Sequence, residues 1–196
     1  MKKAFYGLYT RLRIKQWRTG FIILLMVIPT GNVFARGSNN NSSPTTSKND
    51  TLVFENQGQL IKYMLENKNF VLEADYLQNR YGDRRFVNST INFVKVDSTN
   101  VVIQIGSDYR LGANGVGGVT AKGKITNWKL TEDPKNQSYN LYINAMTPIG
   151  IYDLQISVDS DGHSTALLTG LTAGQLTFEG DLVPNSLADV YEGSSL

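Results

Sequence analysis

Cysteine is absent from the 196 residues of this chain, and histidine occurs only once. A chain without cysteine has no disulfide, no thiolate metal site and no cysteine nucleophile, and it cannot carry a lipid on an N-terminal cysteine. A single histidine also excludes every site that needs two imidazoles. We therefore expect neither a metal nor a cofactor, and no complete set of catalytic residues.

Positive charge is scarce beyond the N-terminal region. The first 35 residues hold six basic side chains and no acidic one, so residues 36–196 hold 13 basic and 17 acidic groups. Because a nucleic-acid-binding domain would show a clustered basic surface, we expect no nucleic-acid partner. The chain is nevertheless 41% hydrophobic and contains ten Tyr and eight Phe, which is enough for one folded core.

The N-terminal region has the features of a signal peptide. Its basic residues precede an apolar run at 21–28, which Pro29 ends, and residues 33–35 (Val-Phe-Ala) offer small or compact side chains to a signal peptidase. The apolar run is about half of the roughly 20 residues that a membrane-spanning helix needs. We expect cleavage after Ala35 and export to the periplasm or beyond the cell, with membrane contact through the signal sequence alone. An uncleaved membrane anchor is the alternative.

A polar segment separates this signal sequence from the folded part. Residues 36–50 contain no large apolar side chain, so burial cannot offset the entropy cost of ordering them. We interpret residues 36–50 as a disordered linker and residues 51–196 as a single β-rich domain.

Hydrophobic periodicity in that domain predicts one short helix followed by β-strands. Residues 57–67 carry apolar side chains at helical spacing, and from Phe70 onward apolar and polar side chains alternate. Alternation of this kind is typical of antiparallel strands with one solvated face. The alternating apolar positions include Phe70, Leu72, Ala74 and Tyr76; Val101, Ile103 and Ile105; Tyr139, Leu141, Ile143 and Ala145; Tyr152, Leu154, Ile156 and Val158; and Leu176, Phe178 and Gly180.

The connections between these runs are short and rich in turn-forming residues, which excludes the helical crossovers that parallel strands require. We therefore expect a mainly β fold: about eight antiparallel strands in a meander that curls into a barrel-like sheet. A two-sheet sandwich is the alternative, because periodicity does not distinguish the two closures.

Two carboxylates are the best catalytic candidates. Glu73 and Asp75 share one face of a predicted strand, roughly 6.5–7 Å apart by the strand rise. That separation is near the range for paired carboxylates in glycoside hydrolysis. They are expected on the solvated face near Arg80, Arg84 and Arg85, so ordinary surface ion pairs are the favoured interpretation. Arg84 and Arg85, followed by Phe86, could instead bind an anionic headgroup or a carboxylate.

A glycine-rich segment covers residues 112–118, and residues 118–124 nearly match a phosphate-binding loop. The match lacks the Ser or Thr that would bind magnesium, because Ile125 follows Lys124, and the next residues predict a strand where a helix N-terminus is required. We interpret the glycine-rich segment as a structural loop that needs positive φ angles or close packing. A flexible lip over a pocket is the alternative.

Three further motifs have structural interpretations. Residues 159–162 (Asp-Ser-Asp-Gly) resemble the start of a calcium loop without its later ligands, so we expect an Asx turn. His163 beside that turn is expected to be solvated. The aromatic side chains that could form a stacking platform are expected to fill or edge the core instead; they are Trp128, Tyr139, Tyr142 and Tyr152.

Several segments resemble the bacterial proteins grouped as domain-of-unknown-function family 4251. These segments are residues 70–75 (Phe-Val-Leu-Glu-Ala-Asp), 86–93, 112–120, 180–184 (Gly-Asp-Leu-Val-Pro) and 190–193 (Val-Tyr-Glu-Gly). The resemblance extends over roughly residues 55–196. It implies an exported envelope protein, and it implies no activity, because the family has none assigned.

Together these features favour a non-catalytic binding or interaction module of the cell envelope. The expected partner is a small apolar ligand inside the barrel or another envelope protein. A protein–protein scaffold acting through an exposed strand edge is one alternative. The other is a hydrolase that acts on glycan or peptide through Glu73 and Asp75.

The signal-peptide interpretation makes a direct prediction. When the full chain is expressed in a bacterium with a two-membrane envelope, the exported protein should begin at Arg36, because cleavage follows Ala35. Intact-mass spectrometry and N-terminal sequencing of the periplasmic fraction measure this. A full-length chain that stays in the membrane fraction would support the anchor alternative.

Overall fold

The computed structural model describes residue 54 and residues 56–107, 112–170 and 174–195. The expected signal peptide and linker therefore lie outside the described residues. The folded unit begins at Asn56. It comprises α1 (Gln57–Glu66), β1 (Asn69–Asn79), β2 (Arg84–Phe86), β3 (Phe93–Asp97), β4 (Asn100–Ile105), β5 (Val119–Asp133), β6 (Ser138–Thr147), β7 (Gly150–Val158), β8 (His163–Gly170) and β9 (Gln175–Val183).

The strands form one antiparallel meander that closes into a barrel. From β3 to β9 each strand pairs with the next, while β1 pairs with β3 on one side and with β9 on the other. The short strand β2 extends the β3 side of β1 at its C-terminal half. The expected barrel-like meander with one short N-terminal helix is thus confirmed as eight closed strands and one extra strand, and the sandwich alternative is wrong.

The barrel interior holds the alternating apolar side chains that the sequence predicts. At mid-barrel the buried side chains include Leu72, Ile143, Leu154, Ile156 and Phe178, each with at most 1% of its surface exposed. Because so little of their surface is exposed, no water molecule fits beside these side chains. They therefore fill this part of the interior themselves.

Two bulges change the alternation within long strands. Ala74 pairs with Gly180 but Tyr76 pairs with Glu179, so Asp75 is an extra residue in β1. The prediction that Tyr76 shares the inner face with Ala74 is therefore wrong: Leu77, opposite Phe178, joins the core instead. A second bulge lies between Ile125 and Asn127 of β5. A bulge shifts the register by one residue, which strict alternation cannot anticipate.

Helix α1 covers one end of the barrel. Asn56 caps the helix, since its side-chain Oδ1 accepts a hydrogen bond from the Gln59 N–H at 2.9 Å. Its apolar stripe (Ile61, Met64 and Leu65) is buried in the same cluster as the barrel core. A helix of ten residues is marginal alone, so this burial stabilises it.

The chain after β9 crosses the outside of the barrel. Residues 184–195, here called the C-terminal segment, bring Ala188 and Val190 against Val71, Phe93 and Val102 on the outer face of β1, β3 and β4. The carboxylate of Glu192 pairs with Lys95 at 2.7 Å and with Lys122 at 3.1 Å. Burial raises the pKa of Glu192, but the two lysines outweigh burial and hold the pKa below its usual value.

Buried polar groups attach the C-terminal segment to β4 and β5. Gln104, which has no exposed surface, donates from Nε2 to the Tyr191 carbonyl at 2.7 Å and accepts at Oε1 from the Gly193 N–H at 2.8 Å. The same Oε1 accepts from the Thr120 hydroxyl at 3.1 Å. Each of these groups would be costly if unpaired, so the network fixes the path of the segment.

Barrel closure depends on a glycine in β9. A Cβ atom at residue 180 would lie 1.9 Å from the carbonyl oxygen of Glu73 and 2.9 Å from Cα of Ala74. Both atoms belong to the backbone of β1 and cannot move without displacing the strand. Gly180 therefore allows β1 and β9 to pair at their observed separation.

Gly180→Ala should destabilise the domain by about 1–3 kcal/mol or more, because it overpacks the β1–β9 pair. Urea denaturation followed by circular dichroism measures the change in the free energy of unfolding. The matched control is Gly174→Ala, where an added Cβ meets nothing within 4 Å. Equal stability of the two variants would contradict this account of closure.

Candidate functional site

The outer face of β5, β6 and β7 carries a regular array of polar side chains. Cross-strand pairing aligns them in three rows, each with one residue from every strand. The rows are Asn127, Asn144 and Asp153; Lys129, Tyr142 and Gln155; and Thr131, Asn140 and Ser157. We call these nine residues the polar face. In the ring of eight strands β6 lies opposite β1, so the polar face is on the side away from the C-terminal segment.

A groove that is open to solvent runs over the polar face. It has a volume of about 530 Å³, and outward side chains of all three strands line it. Four of the lining side chains have no hydrogen-bond or ion-pair partner among the described residues: Asn127, Lys129, Thr131 and Gln155. These groups can bond to a ligand without first breaking a contact within the protein.

The remaining side chains of the polar face hold one another in place. The Tyr142 hydroxyl and the Asn144 amide each donate to Oδ1 of Asp153 at 2.7 Å. The Ser157 hydroxyl donates to Oδ1 of Asn140 at 3.1 Å. The ring of Tyr142 is thereby fixed at the centre of the face.

These hydrogen bonds also set the protonation states. Donation from Asn144, and then from Tyr142, lowers the pKa of Asp153. The bond to Asp153 raises the pKa of Tyr142. Near neutral pH the carboxyl group is therefore ionised and the phenol is protonated, an arrangement that orients groups and leaves neither poised to transfer a proton.

The carboxylates that the sequence indicates lie elsewhere. Glu73 is on the outer face of β1, and its Oε1 accepts from the Asp189 N–H of the C-terminal segment at 2.9 Å. Asp75 occupies the bulge, where its carbonyl oxygen accepts from the Val87 N–H at 2.9 Å. Burial raises the pKa of Glu73, and the charges of Asp189, Asp181 and Asp75 raise it further, against the lowering effect of the Asp189 hydrogen bond.

Residues 112–118 form a structural loop, as the sequence predicts, while residues 119–124 of the near match to a phosphate-binding loop begin strand β5. Gly112, Gly115 and Gly117 have φ angles of 60°, 80° and 71°, where a side chain is disfavoured. The buried Asn114 occupies the loop: its Oδ1 accepts from the N–H groups of residues 116–118 at 3.1–3.4 Å. The backbone donors that could hold a phosphate are therefore bonded to the protein's own amide.

The other motifs also have structural roles. Oδ1 of Asp161 accepts from the His163 N–H at 3.1 Å, which is the expected Asx turn between β7 and β8. Among the described residues no group of three or more acidic or histidine side chains could hold a metal. Trp128, Tyr139 and Tyr152 belong to the core cluster, and only Tyr142 of the four expected aromatics faces outward.

The sequence pattern did not reveal the polar face. Its residues on β6 and β7 are the polar halves of two alternating runs, and Tyr142 was expected to fill or edge the core. Their alignment depends on strand register and on the Thr126 bulge in β5, which brings Asn127 opposite Asn144. The sequence does contain one indication of the polar face: amide and hydroxyl side chains recur at the outward positions of these strands.

Within the part of the chain that the structure describes, α1 is the only helix, and at ten residues it has about half of the length that a bilayer-spanning helix needs.

Comparison with known proteins places the chain in a family. The family described as "Domain of unknown function (DUF4251)" matches residues 54–182. A solved structure of a DUF4251 family protein from Bacteroides eggerthii DSM 20697 is similar to this chain, with a TM-score of 0.57 and 26% sequence identity. The similarity covers 68% of this chain and 91% of that chain. No curated protein is significantly similar to the present chain. Because the family match spans well over half of its length, the chain belongs to the DUF4251 family of proteins of unknown function.

Proposed function

We propose that this protein is an exported, non-catalytic binding module that recognises a neutral, hydroxyl-rich ligand such as an envelope glycan. The observation that carries the proposal is the polar face, with its partner-free amide and hydroxyl groups in an open groove. Export rests on the signal sequence expected from residues 1–35.

The dimensions of the polar face suit a short oligosaccharide. Successive rows lie about 6.6 Å apart, two residues along a strand, and neighbouring strands lie about 4.8 Å apart. Three rows on three strands therefore span roughly 13 by 10 Å, enough for two or three sugar rings. The groove volume of about 530 Å³ lies within the range of small-molecule sites.

The chemistry of the polar face also suits sugar hydroxyls. Asn127 and Gln155 each offer a donor and an acceptor, which matches adjacent hydroxyl groups that both donate and accept. The fixed ring of Tyr142 supplies an apolar surface beside them. One cation, Lys129, and one carboxylate, Asp153, leave the face without net charge, which favours a neutral ligand over a charged one.

The other expected partners receive less support. A small apolar ligand inside the barrel stays a prediction, but the mid-barrel side chains fill that space, so such a ligand would have to lie near an end. A scaffold acting through a strand edge is also less supported, since closure pairs β1 with β9 and, among the described strands, leaves only the three-residue β2 with an unpaired edge.

Titration with oligosaccharides tests the proposal. Trimers of glucose, mannose and N-acetylglucosamine are added to the isotopically labelled protein, and backbone amide shifts are followed by NMR. At least one trimer should shift amides of residues 127–131, 140–144 and 153–157. Gln155→Ala and Asn127→Ala should each weaken binding about 2- to 10-fold, the loss of one or two hydrogen bonds.

The matched control is Gln175→Ala, an exposed amide on β9 outside the groove, which should bind with unchanged affinity. All three variants are surface changes and should leave stability within about 0.5 kcal/mol. Shifts spread over the whole barrel, or equal affinity of all variants, would exclude the groove as the site.

The same proposal assigns Glu73 no chemical role. Because its pKa is raised in the folded protein, the folded state keeps the Glu73 proton to higher pH than the unfolded chain does. Stability therefore falls as pH rises through the window between the unfolded and the folded pKa, and above that window the whole penalty is present.

Glu73→Gln should remove this penalty and keep an oxygen that accepts from the Asp189 N–H. The variant should be more stable than the natural protein at pH 7, and the difference should vanish below about pH 4, where glutamate is protonated in both states. Thermal unfolding at a series of pH values measures this, with Glu73→Ala as the comparison that loses the hydrogen bond. Lower stability of Glu73→Gln at pH 7 would refute the assignment.

A further inference from the structure

Exposed apolar side chains border the polar face at one end. The outward positions of β6 continue from Asn144 to Met146, and those of β7 lead back from Asp153 to Ile151. Met146 pairs with Ile151, so these two side chains form the next row on the same outer surface. Their exposed fractions are 55% and 38%, and Ile149, in the turn that joins the two strands, is 39% exposed. We call Met146, Ile149 and Ile151 the apolar ledge.

The apolar ledge is a concentration of apolar surface and not a set of scattered side chains. The described residues include eight exposed large hydrophobic side chains, and three of them fall within residues 146–151. The turn is held in place, because the Thr147 hydroxyl donates to the Gly150 carbonyl at 2.9 Å and accepts from the Ile149 N–H at 3.3 Å. Clustered apolar side chains that are rimmed by polar ones and exposed to water are typical of a binding surface.

The opposite end of the polar face continues into polar residues. Beyond the third row, the next pair of outward residues on β5 and β6 is Asp133 and Ser138. The Asp133 carboxylate accepts from Nδ2 of Asn136 at 2.8 Å. Among the described residues, apolar surface therefore adjoins one end of the polar face, and a ligand with one apolar group would bind in one direction.

The row between the groove and the apolar ledge is bonded within the protein. The Thr126 hydroxyl donates to Oδ1 of Asn144, and Nδ2 of Asn144 donates to Oδ1 of Asp153 at 2.7 Å. Both ends of the Asn144 amide are thus occupied. A sugar ring that lies over this row would place its next substituent on the apolar ledge, one row or about 6.6 Å further along the strands.

We propose that the ligand of the polar face is an acylated glycan whose fatty acyl chain lies on the apolar ledge. This inference rests on the proposed function, and it names the apolar group that a hydroxyl-rich ligand needs if it is to use the whole surface. Contact of the chain with Met146 and Ile151 removes apolar surface of both molecules from water. An acyl chain suits the ledge because the ledge is a narrow strip, which a thin and flexible chain can follow.

Matched glycosides test this proposal on the full chain. The hexyl and methyl glycosides of the glucose, mannose and N-acetylglucosamine trimers differ only in the alkyl group, so each pair isolates its contribution. Isothermal titration calorimetry measures both affinities. For at least one sugar the hexyl glycoside should bind about 10- to 30-fold more tightly, because full burial of a methylene group corresponds to about fourfold and the ledge covers one side of the chain, about twofold for each added group.

Methionine methyl groups report where the alkyl chain lies. The chain has four methionines, of which Met64 and Met146 belong to the described residues. With carbon-13 methyl labelling of methionine, the hexyl glycoside should shift the NMR signal of Met146, and the methyl glycoside should leave it nearly unchanged. Met64 is buried in the core and is the internal control. Met26, in the apolar run of the signal sequence, detects an alkyl chain that binds there instead.

A substitution on the apolar ledge separates the two parts of the ligand. Ile151→Thr keeps a β-branched side chain but removes apolar surface, so it should weaken binding of the hexyl glycoside about 2- to 5-fold and leave the methyl glycoside unaffected. The matched control is Leu187→Thr, at a side chain that is 57% exposed on the C-terminal segment, away from the polar face. It should change neither affinity.

The outcomes distinguish the acyl contact from the glycan site itself. Equal affinities of the hexyl and methyl glycosides, with amide shifts confined to the groove, would overturn the acyl contact and leave the glycan site standing. Binding of neither member of any pair would overturn both. A hexyl effect that Ile151→Thr does not reduce, or that shifts Met26 in place of Met146, would also overturn the acyl contact, because the alkyl chain would then lie elsewhere.

Discussion

Pairing of β1 with β9 is the contact on which the rest of the structure depends. It converts a meander with two free edges into a closed ring, and only then does every inward side chain meet a partner across the interior. The pair tolerates no side chain at Gly180, because a Cβ there would overlap the Glu73 carbonyl. The absence of a Cβ atom at residue 180 therefore permits closure, and closure encloses the core that stabilises the domain.

Closure also decides which surfaces are available. The C-terminal segment leaves β9 and crosses β1, β3 and β4, where buried Gln104 and the Glu192 carboxylate fix its path. That half of the wall is covered. The opposite half, on β5, β6 and β7, has no such cover among the described residues and carries the polar face.

The polar face and the β1–β2 hairpin differ in their charged groups. On the polar face, two neighbouring donors hold the Asp153 carboxylate, whose negative charge balances the positive charge of Lys129. The β1–β2 hairpin carries the three arginines of the described residues beside the exposed rings of Tyr81 and Phe86. The two surfaces therefore differ in charge and in polarity.

Much of this architecture could be predicted from local sequence patterns. Alternation from Phe70 to Gly180 predicted the strands, the short turns predicted antiparallel order, and the helical spacing of Ile61 and Leu65 predicted α1. The bulges at Asp75 and Thr126 could not be predicted, because a bulge is defined by how a strand pairs with its partner strand. The error at Tyr76 and Leu77 follows directly from that limit.

What the sequence alone determined was therefore local: element type, chain order, the structural role of the glycine segment and the absence of thiol chemistry. Tertiary structure decided everything that depends on register and closure. It placed Asn127, Tyr142 and Gln155 on one face and half-buried Glu73 beside Asp189, residues distant in the chain. The physical reason is that side-chain periodicity encodes which face of a strand is apolar, whereas the partner opposite each residue is fixed only when the strands pair.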